Sequence, residues 1–319
     1  MDAFDYIYSN NIIELKKYLE FGDVNALNER GMSLLHYAVI FNNQEVFNLL
    51  LDYYININIC DSHGDTALHY CVINNRVGFL KSLIRHNAIV NVKNNEGQTP
   101  LYKACALGRD NLVDLLLEFT NINLFDKDNK DETIFMAMIR SRNMALIDKY
   151  LPEGNLINIC NYIGETPLHI ACKVGDMNVI RYLISHRAFV NAKNKTGETP
   201  LFYAVANHNM EAISLLLEYG AVLDCKSTFG DTIYSLIPTY DLSSYINEKS
   251  EQFKSYLYHS NYPLHYAIIT ENIEMVRKYA VMRNINHPDK FGYTPLELAA
   301  LIKNNKIISI VQNGLDVEE

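Results

Sequence analysis

Histidine and cysteine side chains are the groups in this chain best suited to metal binding or nucleophilic chemistry. The sequence holds 10 histidines and 6 cysteines. Four of the histidines follow a leucine in the same short motif and recur one to a motif along the chain: His36, His69, His169 and His265. Zinc needs ligands that converge within about 2.0–2.1 Å of one point, which side chains from separate motifs do not offer. We therefore expect these imidazoles to be structural, each hydrogen-bonded to the Ser or Thr that opens its motif or to a neighbouring loop.

The cysteines show no pattern that indicates catalysis or a disulfide framework. No pair has the C-x-x-C spacing, and Cys71, Cys105 and Cys172 take places where other copies of the same segment carry a small residue. A cysteine nucleophile needs a base and a group that orients the base, and neither is near in sequence. Motifs such as G-x-x-x-x-G-K-[ST], H-E-x-x-H and G-x-S-x-G are absent. We expect reduced cysteines, no catalytic residue, no metal and no cofactor.

Composition restricts the classes of function further. The 319 residues include 28 Lys and Arg against 37 Asp and Glu, a net charge of −9, and 49% of them are hydrophobic. The acidity disfavours nucleic acid as a partner, because binding phosphates requires a basic surface. No apolar run approaches the roughly 18 residues of a membrane span, and the first residues lack the pattern of a signal peptide. We expect a monomeric, cytoplasmic protein, with delivery into a host cell by an unconventional route as the alternative.

A segment of the form Gly-x-Thr-Pro-Leu recurs along the chain and determines its organisation. The best copy begins at Gly164 and continues through Thr166 and Pro167 to His169. The Ser or Thr of each copy, or its equivalent, stands at positions 33, 66, 99, 133, 166, 199, 232, 262 and 294, so successive copies are 30 to 34 residues apart. Ser or Thr before an apolar run is a helix N-cap, and Pro suits the first helical position. Each copy therefore predicts the start of a helix.

A second helix and a loop complete each repeat. After the best copy, Val179, Ile180, Leu183 and Ile184 are spaced as one face of a helix. Residues 190–197 follow, with the Asn and Gly that are typical of turns. One repeat is thus a helix, a turn, a helix and a projecting hairpin. Because no single repeat can bury its apolar face, neighbouring repeats must stack.

With this period and its T-P-L-H-x-A motif, the chain resembles the ankyrin repeat family. The resemblance implies an all-α fold, an ankyrin-repeat solenoid of stacked helix-turn-helix units with projecting hairpin loops. Residues 1–319 are expected to form one domain, with an N-terminal half unit at 1–30 and repeats that start near residues 28, 61, 94, 127, 161, 194, 227, 258 and 289. The unit at about 227–258 is expected to be irregular, because no hairpin segment follows its helical stretches.

Partner-binding residues are expected on the hairpin tips and on the exposed side of the first helices, which form a concave surface in such solenoids. Apolar side chains that the repeat does not dictate mark binding surfaces, although one or two of them could fill gaps between repeats. Acidic tips would attract a partner with a basic surface. The candidate residues are Met32, Ile40, Phe41, Asp65, Ile73, Gln98, Leu107, Tyr162, Ile163, Glu165 and Glu198.

The resemblance implies a non-catalytic scaffold or interaction module that binds another protein through this concave face. Two alternatives stay open at this point. One is a dedicated inhibitor or immunity-type regulator of an enzyme, and the other is a secreted effector directed at a host. The motifs of the chain do not distinguish among the three.

Overall fold

The computed structural model describes residues 2–119, 126–150, 155–236, 244–250, 263–269, 271–280, 288 and 294–315. Within these ranges the regular structure is helical, and isolated single-residue bridges take the place of strands. The chain divides into two compact units, unit 1 (Met1–Leu151) and unit 2 (Pro152–Glu319). The all-α prediction is confirmed, whereas the single domain over 1–319 stays a prediction.

Unit 1 is built from helix pairs, in each of which a first helix, a turn and a second helix follow one another. The pairs are α1 (Ala3–Tyr8) and α2 (Ile12–Phe21), α3 (Leu34–Ile40) and α4 (Gln44–Asp52), α5 (Ala67–Ile73) and α6 (Val77–Arg85), α7 (Pro100–Ala106) and α8 (Asp110–Glu118), and α9 (Ile134–Ser141) and α10 (Met144–Tyr150). Successive first helices pack against one another, from α1 on α3 to α7 on α9. This is the stacking that the repeat period predicts.

Unit 2 continues the pattern and then departs from it. Its elements are a 3₁₀ turn at Asn155–Asn158, α11 (Pro167–Val174), α12 (Met177–Ser185), α13 (Pro200–Ala206), α14 (Met210–Glu218), a 3₁₀ turn at Ile233–Leu236, α15 at 244–250, α16 (Pro263–Ile269), α17 (Ile273–Tyr279), α18 (Pro295–Ile302) and α19 (Asn305–Leu315). Helices α16 to α19 enclose a hydrophobic cluster that includes Ile268, Val276 and Ile307.

The first helices begin where the motif predicts. Thr99 Oγ1 accepts the backbone N–H of Tyr102 at 3.2 Å, and Pro100 is the first residue of α7. This cap satisfies a backbone donor that has no partner inside the helix. Ala104, on the buried side of α7, is fully enclosed, and its small side chain allows the neighbouring helices to approach.

Histidines of the motif link three of the described repeats to the repeat that follows. Nδ1 of His169 accepts the backbone N–H of Thr166 at 3.1 Å, and its Nε2 lies 3.1 Å from the backbone oxygen of Glu198 in the following hairpin. Because a backbone N–H only donates, the ring proton is on Nε2, which donates to that carbonyl. His36 and His69 make the same two contacts. The structural role predicted for these three imidazoles is confirmed.

The hairpins of adjacent repeats bond to each other through their backbones. The N–H of Lys195 donates to the carbonyl oxygen of Ile163 at 2.8 Å, and the N–H of Asn95 donates to that of His63 at 2.9 Å. Gly164 lies in this contact with a φ of +84°, and a Cβ there would come within 2.9 Å of the Lys195 nitrogen. Both its backbone conformation and the space available therefore require glycine.

The repeat that starts near residue 227 is irregular in its described part. Thr232 opens a 3₁₀ turn rather than an α-helix. Ser235 stands where other repeats have histidine, and its Oγ donates back to the Thr232 carbonyl at 2.7 Å. This side chain is too short to reach a following hairpin. The rest of the predicted irregular unit, apart from α15, lies outside the described residues.

Protonation of the linking histidines should destabilise the fold in mild acid. Burial lowers the pKa of His169 from 6.5 to about 4, and it also lowers the pKa of His36 and His69. Between these two values the unfolded chain binds more protons than the folded chain. The stability that the neutral His169 imidazole contributes is therefore complete above about pH 6.5 and is lost as the pH falls towards 4. For His169 alone we expect a loss of about 2 kcal/mol in the free energy of unfolding between pH 7 and pH 5.

Chemical unfolding of the wild type and of His169→Gln at both pH values measures this effect. Glutamine has an acceptor oxygen and a donor NH₂ group for the two contacts, but it does not titrate in this range. The variant should therefore lose about 2 kcal/mol less than the wild type on acidification. An equal loss in the two proteins would contradict the assignment of acid sensitivity to this imidazole.

Candidate functional site

The first helices of unit 1 leave apolar side chains in solvent at the ends nearest the turns. Phe41 is 43% exposed, Ile73 38% and Leu107 46%. Phe41 and Leu107 are the C-cap residues of α3 and α7, and Ile73 is the last residue of α5. Ile40, the last residue of α3, is half-buried. We call Ile40, Phe41, Ile73 and Leu107 the apolar stripe.

An aromatic cluster extends the stripe onto α1. The ring of Tyr8, an exposed residue, meets that of Phe41 edge to face at a centroid distance of 5.4 Å, and Tyr37 lies 5.6 Å from Phe41 on another side. Such contacts favour one orientation of the Phe41 ring. Tyr8 was not among the predicted residues, although it precedes Phe41 by 33 positions, the spacing of the repeats.

In unit 2, Tyr162 and Ile163 lie in the hairpin that precedes α11. Tyr162 is exposed, whereas Ile163 is half-buried. The carbonyl of Ile163 accepts the N–H of Lys195, so its backbone is engaged with the next hairpin. Tyr162 is therefore the more accessible of the two.

Three of the candidates are buried, and the prediction that they face solvent is wrong: Met32, Asp65 and Glu165. Each of the three directly precedes the Ser or Thr that caps a first helix, a place enclosed between its own hairpin and the next repeat. Asp65 Oδ1 accepts the Asn94 Nδ2–H at 2.9 Å, and Lys103 Nζ lies 3.4 Å from Asp65 Oδ2. Both partners belong to the following repeat, so this carboxylate joins two repeats.

Glu165, only 1% exposed, is held in the same way. Its Oε1 accepts the Tyr203 hydroxyl at 2.9 Å and Lys173 Nζ at 3.2 Å, and its Oε2 accepts the Asn161 amide at 3.2 Å. Burial alone raises the pKa of Glu165, but these hydrogen bonds and the lysine charge outweigh burial, so the pKa is lowered. Glu165 is thus ionised and satisfied inside the protein.

Gln98 and Glu198 are half-buried and also take part in contacts between repeats. The Gln98 backbone oxygen accepts His69 Nε2–H at 3.1 Å. The Glu198 backbone oxygen accepts His169 Nε2–H at 3.1 Å, and its Oε2 accepts the Asn194 amide of its own repeat at 2.9 Å. A direct role of either residue in partner binding stays a prediction.

The buried acids explain where the apolar stripe ends. Arg140 and Lys173 stand at the repeat position that Ile40 and Ile73 occupy, and each pairs with the buried acid of its own repeat, Arg140 with Glu132. In the repeat of Ile73 the corresponding acid is Asp65, which pairs instead with Lys103 of the following repeat at 3.4 Å. The position of Ile73 is then free to be apolar.

The groups considered for chemistry are separate in the structure. Burial raises the pKa of the Cys71, Cys105 and Cys172 thiols, which disfavours the nucleophilic thiolate. Cys60 and Cys160 are exposed on their hairpins. In the part of the chain that the structure describes, no three His, Cys, Asp or Glu residues are grouped as metal ligands. None of the described helices has the length and apolar character needed to cross a membrane.

Stacked helix pairs joined through hairpins define a helical repeat protein. The sequence matches the family described as "Ankyrin repeats (3 copies)" over residues 5–94, 54–131, 75–146 and 134–227. The chain belongs to the ankyrin repeat family. Ankyrin repeat-containing protein F37A4.4 of Caenorhabditis elegans is 36% identical to it over 57 residues, which are 18% of this chain and 5% of that protein. The chain thus spans a small part of that relative's length.

Solved ankyrin domains have the same fold. The human ASB11 ankyrin repeat domain matches with a TM-score of 0.57 and 23% identity, covering 68% of this chain and 98% of that chain. The ankyrin repeat domain of Bcl-3, a member of the IkappaB protein family, matches with a TM-score of 0.53 and 21% identity, covering 69% of this chain and 100% of that chain. At these identities the likeness shows the fold alone.

Replacement of Glu165 should affect stability rather than binding. Glu165→Ala removes the acceptor shared by Tyr203, Lys173 and Asn161, so we expect the free energy of unfolding to fall by about 1–3 kcal/mol. Glu96→Ala, an exposed acid on another hairpin, is the control and should stay within about 0.5 kcal/mol of the wild type. Denaturant unfolding measures both. Equally small changes in the two variants would show that the Glu165 network contributes little.

Proposed function

We propose that this chain is a non-catalytic module that binds another protein through the first-helix face of unit 1, with the apolar stripe at the centre of the contact. The observation that carries the proposal is the exposure of Phe41, Ile73 and Leu107 at the same end of three successive first helices. Contiguous apolar side chains in solvent are typical of binding surfaces. Ankyrin repeats generally act as protein-interaction modules, which agrees with this function.

The energy available from the stripe suits a specific contact. Complete burial of a large apolar side chain is worth about 1.5–3 kcal/mol. The contacts of Tyr8 and Tyr37 with Phe41 limit the ring's freedom before a partner arrives, so less entropy is lost on binding. A few such side chains are enough to dominate an interface.

The proposal includes a monomeric state and a location in the cytoplasm, with delivery into a host cell as the alternative. The buried thiols of Cys71, Cys105 and Cys172 suit a reducing compartment, since each acts as a small core side chain. The identity of the partner distinguishes a scaffold from a dedicated inhibitor of an enzyme.

Acidic residues in the stripe should abolish partner binding without unfolding the protein. Phe41 and Leu107 are 43% and 46% exposed, so their remaining burial is worth about 1.5–3 kcal/mol together, and each Asp adds the cost of burying a charge. We therefore expect Phe41→Asp with Leu107→Asp to lower affinity about 100-fold or more. Affinity purification from the native cell with mass spectrometry identifies the partner on the wild type, and the double variant should fail to retain it. Ile13→Asp with Phe21→Asp alters two exposed apolar residues of α2 and should retain it.

Two results would contradict the proposal. If the Phe41 and Leu107 variant unfolds, the stripe belongs to the packing between repeats. If it folds and captures the same partner as the wild type, the partner binds elsewhere on the chain.

A further inference from the structure

Two arginines occupy turn positions where other repeats have a capping residue. Asn43 and Asn209 precede α4 and α14, and each side chain accepts a backbone N–H of the helix that follows. Arg76 and Arg109 hold this place before α6 and α8, and neither makes a side-chain cap. The N-terminus of a helix carries a partial positive charge, so a cation there is unfavourable. In these two repeats the second helix therefore lacks an N-cap hydrogen bond, and the arginine charge is repelled by the helix dipole.

Both arginines also lack partners within the described residues. Their Nε atoms are buried without a hydrogen bond, which among described side chains is otherwise true only of Thr199 Oγ1. The terminal guanidinium nitrogens are not among these enclosed atoms, so they reach solvent. Burial of an unpaired donor costs stability. The same unfavourable residue at the same place in two neighbouring repeats points to a role outside the fold.

The two arginines border the apolar stripe. Arg76 follows Ile73 by three residues and Arg109 follows Leu107 by two, so their Cα atoms lie within about 11 and 7 Å of the stripe. Helices α5 and α7 pack side by side, which brings both turns to the same edge of unit 1. Apolar and cationic groups therefore lie at the same edge of unit 1.

Carboxylates in the same region already have other roles. Glu45 and Asp110 lie in the first turns of α4 and α8, where a negative charge offsets the helix dipole. Asp65 is buried and paired with Lys103. Asp65 and Glu165, two of the acids expected to attract a basic partner, are thus inside the protein, whereas the arginines beside the stripe have no partner among the described residues.

We propose that the apolar stripe, Arg76 and Arg109 form one docking surface for an acidic amphipathic segment of a partner protein. Aromatic or aliphatic side chains of that segment contact the stripe, and its Asp or Glu carboxylates bind the two guanidinium groups. This inference rests on the proposed function and gives the chemistry of its partner.

The geometry suits carboxylate binding in two ways. A guanidinium group can donate two parallel N–H···O bonds to one carboxylate. Because the Nε of each arginine is held in its turn, less side-chain freedom is lost on binding than for an arginine that is free in solvent. Charges at the rim of the stripe also increase the association rate, and salt weakens this effect.

Selection of a random peptide display library on the full chain tests the inference without a known partner. We expect the enriched peptides to combine large apolar residues with an excess of Asp and Glu over Lys and Arg. A synthetic consensus peptide should bind Arg76→Met with Arg109→Met about tenfold or more weakly than the wild type. Arg85→Met, at the exposed end of α6, is the matched control and should bind normally.

Methionine keeps the length of the buried stem and removes the unpaired Nε, so the thermal unfolding midpoint of the double variant should equal or exceed that of the wild type. A lower midpoint with unchanged peptide affinity would assign the arginines a structural role and overturn the inference. Basic or neutral consensus peptides that still require Phe41 and Leu107 would overturn it and leave the proposed function standing. No enrichment, or peptides that bind the Phe41→Asp and Leu107→Asp variant normally, would contradict both.

Discussion

The hydrogen bond from a buried, neutral histidine to the backbone of the next hairpin is the contact on which the repeats of His36, His69 and His169 depend. In His169 one ring nitrogen accepts from the start of its own helix while the other donates to Glu198. The imidazole thus aligns two repeats at once. That alignment places Glu165 against Tyr203, where an ionised carboxylate is stable away from water.

Repeats without this histidine have other side chains at the same place, and only some of these can form a hydrogen bond. Tyr102 reaches across to Glu132, with its hydroxyl 3.4 Å from Oε2. Ser235 bonds only to its own Thr232, and that repeat begins with a 3₁₀ turn. The side chain at this position therefore determines whether a hydrogen bond joins the first helix to the repeat that follows.

Residue spacing was enough to predict the repeats, the caps and the role of the histidines, because these are local or recur at a constant interval. The burial of Asp65 and Glu165 was not predictable in the same way. It depends on partners such as Lys103 and Tyr203, which lie 38 residues further along the chain. The position of Tyr8 beside the apolar stripe was predictable, because it precedes Phe41 by one repeat length. The sequence does not distinguish Arg76 from other surface arginines, because the burial of its Nε depends on tertiary packing.

The histidine contacts also have a consequence for how the chain acquires its structure. Each joins groups only 29 residues apart. Contacts of such short range close small loops at modest entropic cost, and folds rich in them form quickly. During synthesis at about 5–20 residues per second, a repeat can dock on its predecessor as soon as its own hairpin has emerged from the ribosome. Within each unit, the newest hairpin then serves as the template on which the next repeat assembles.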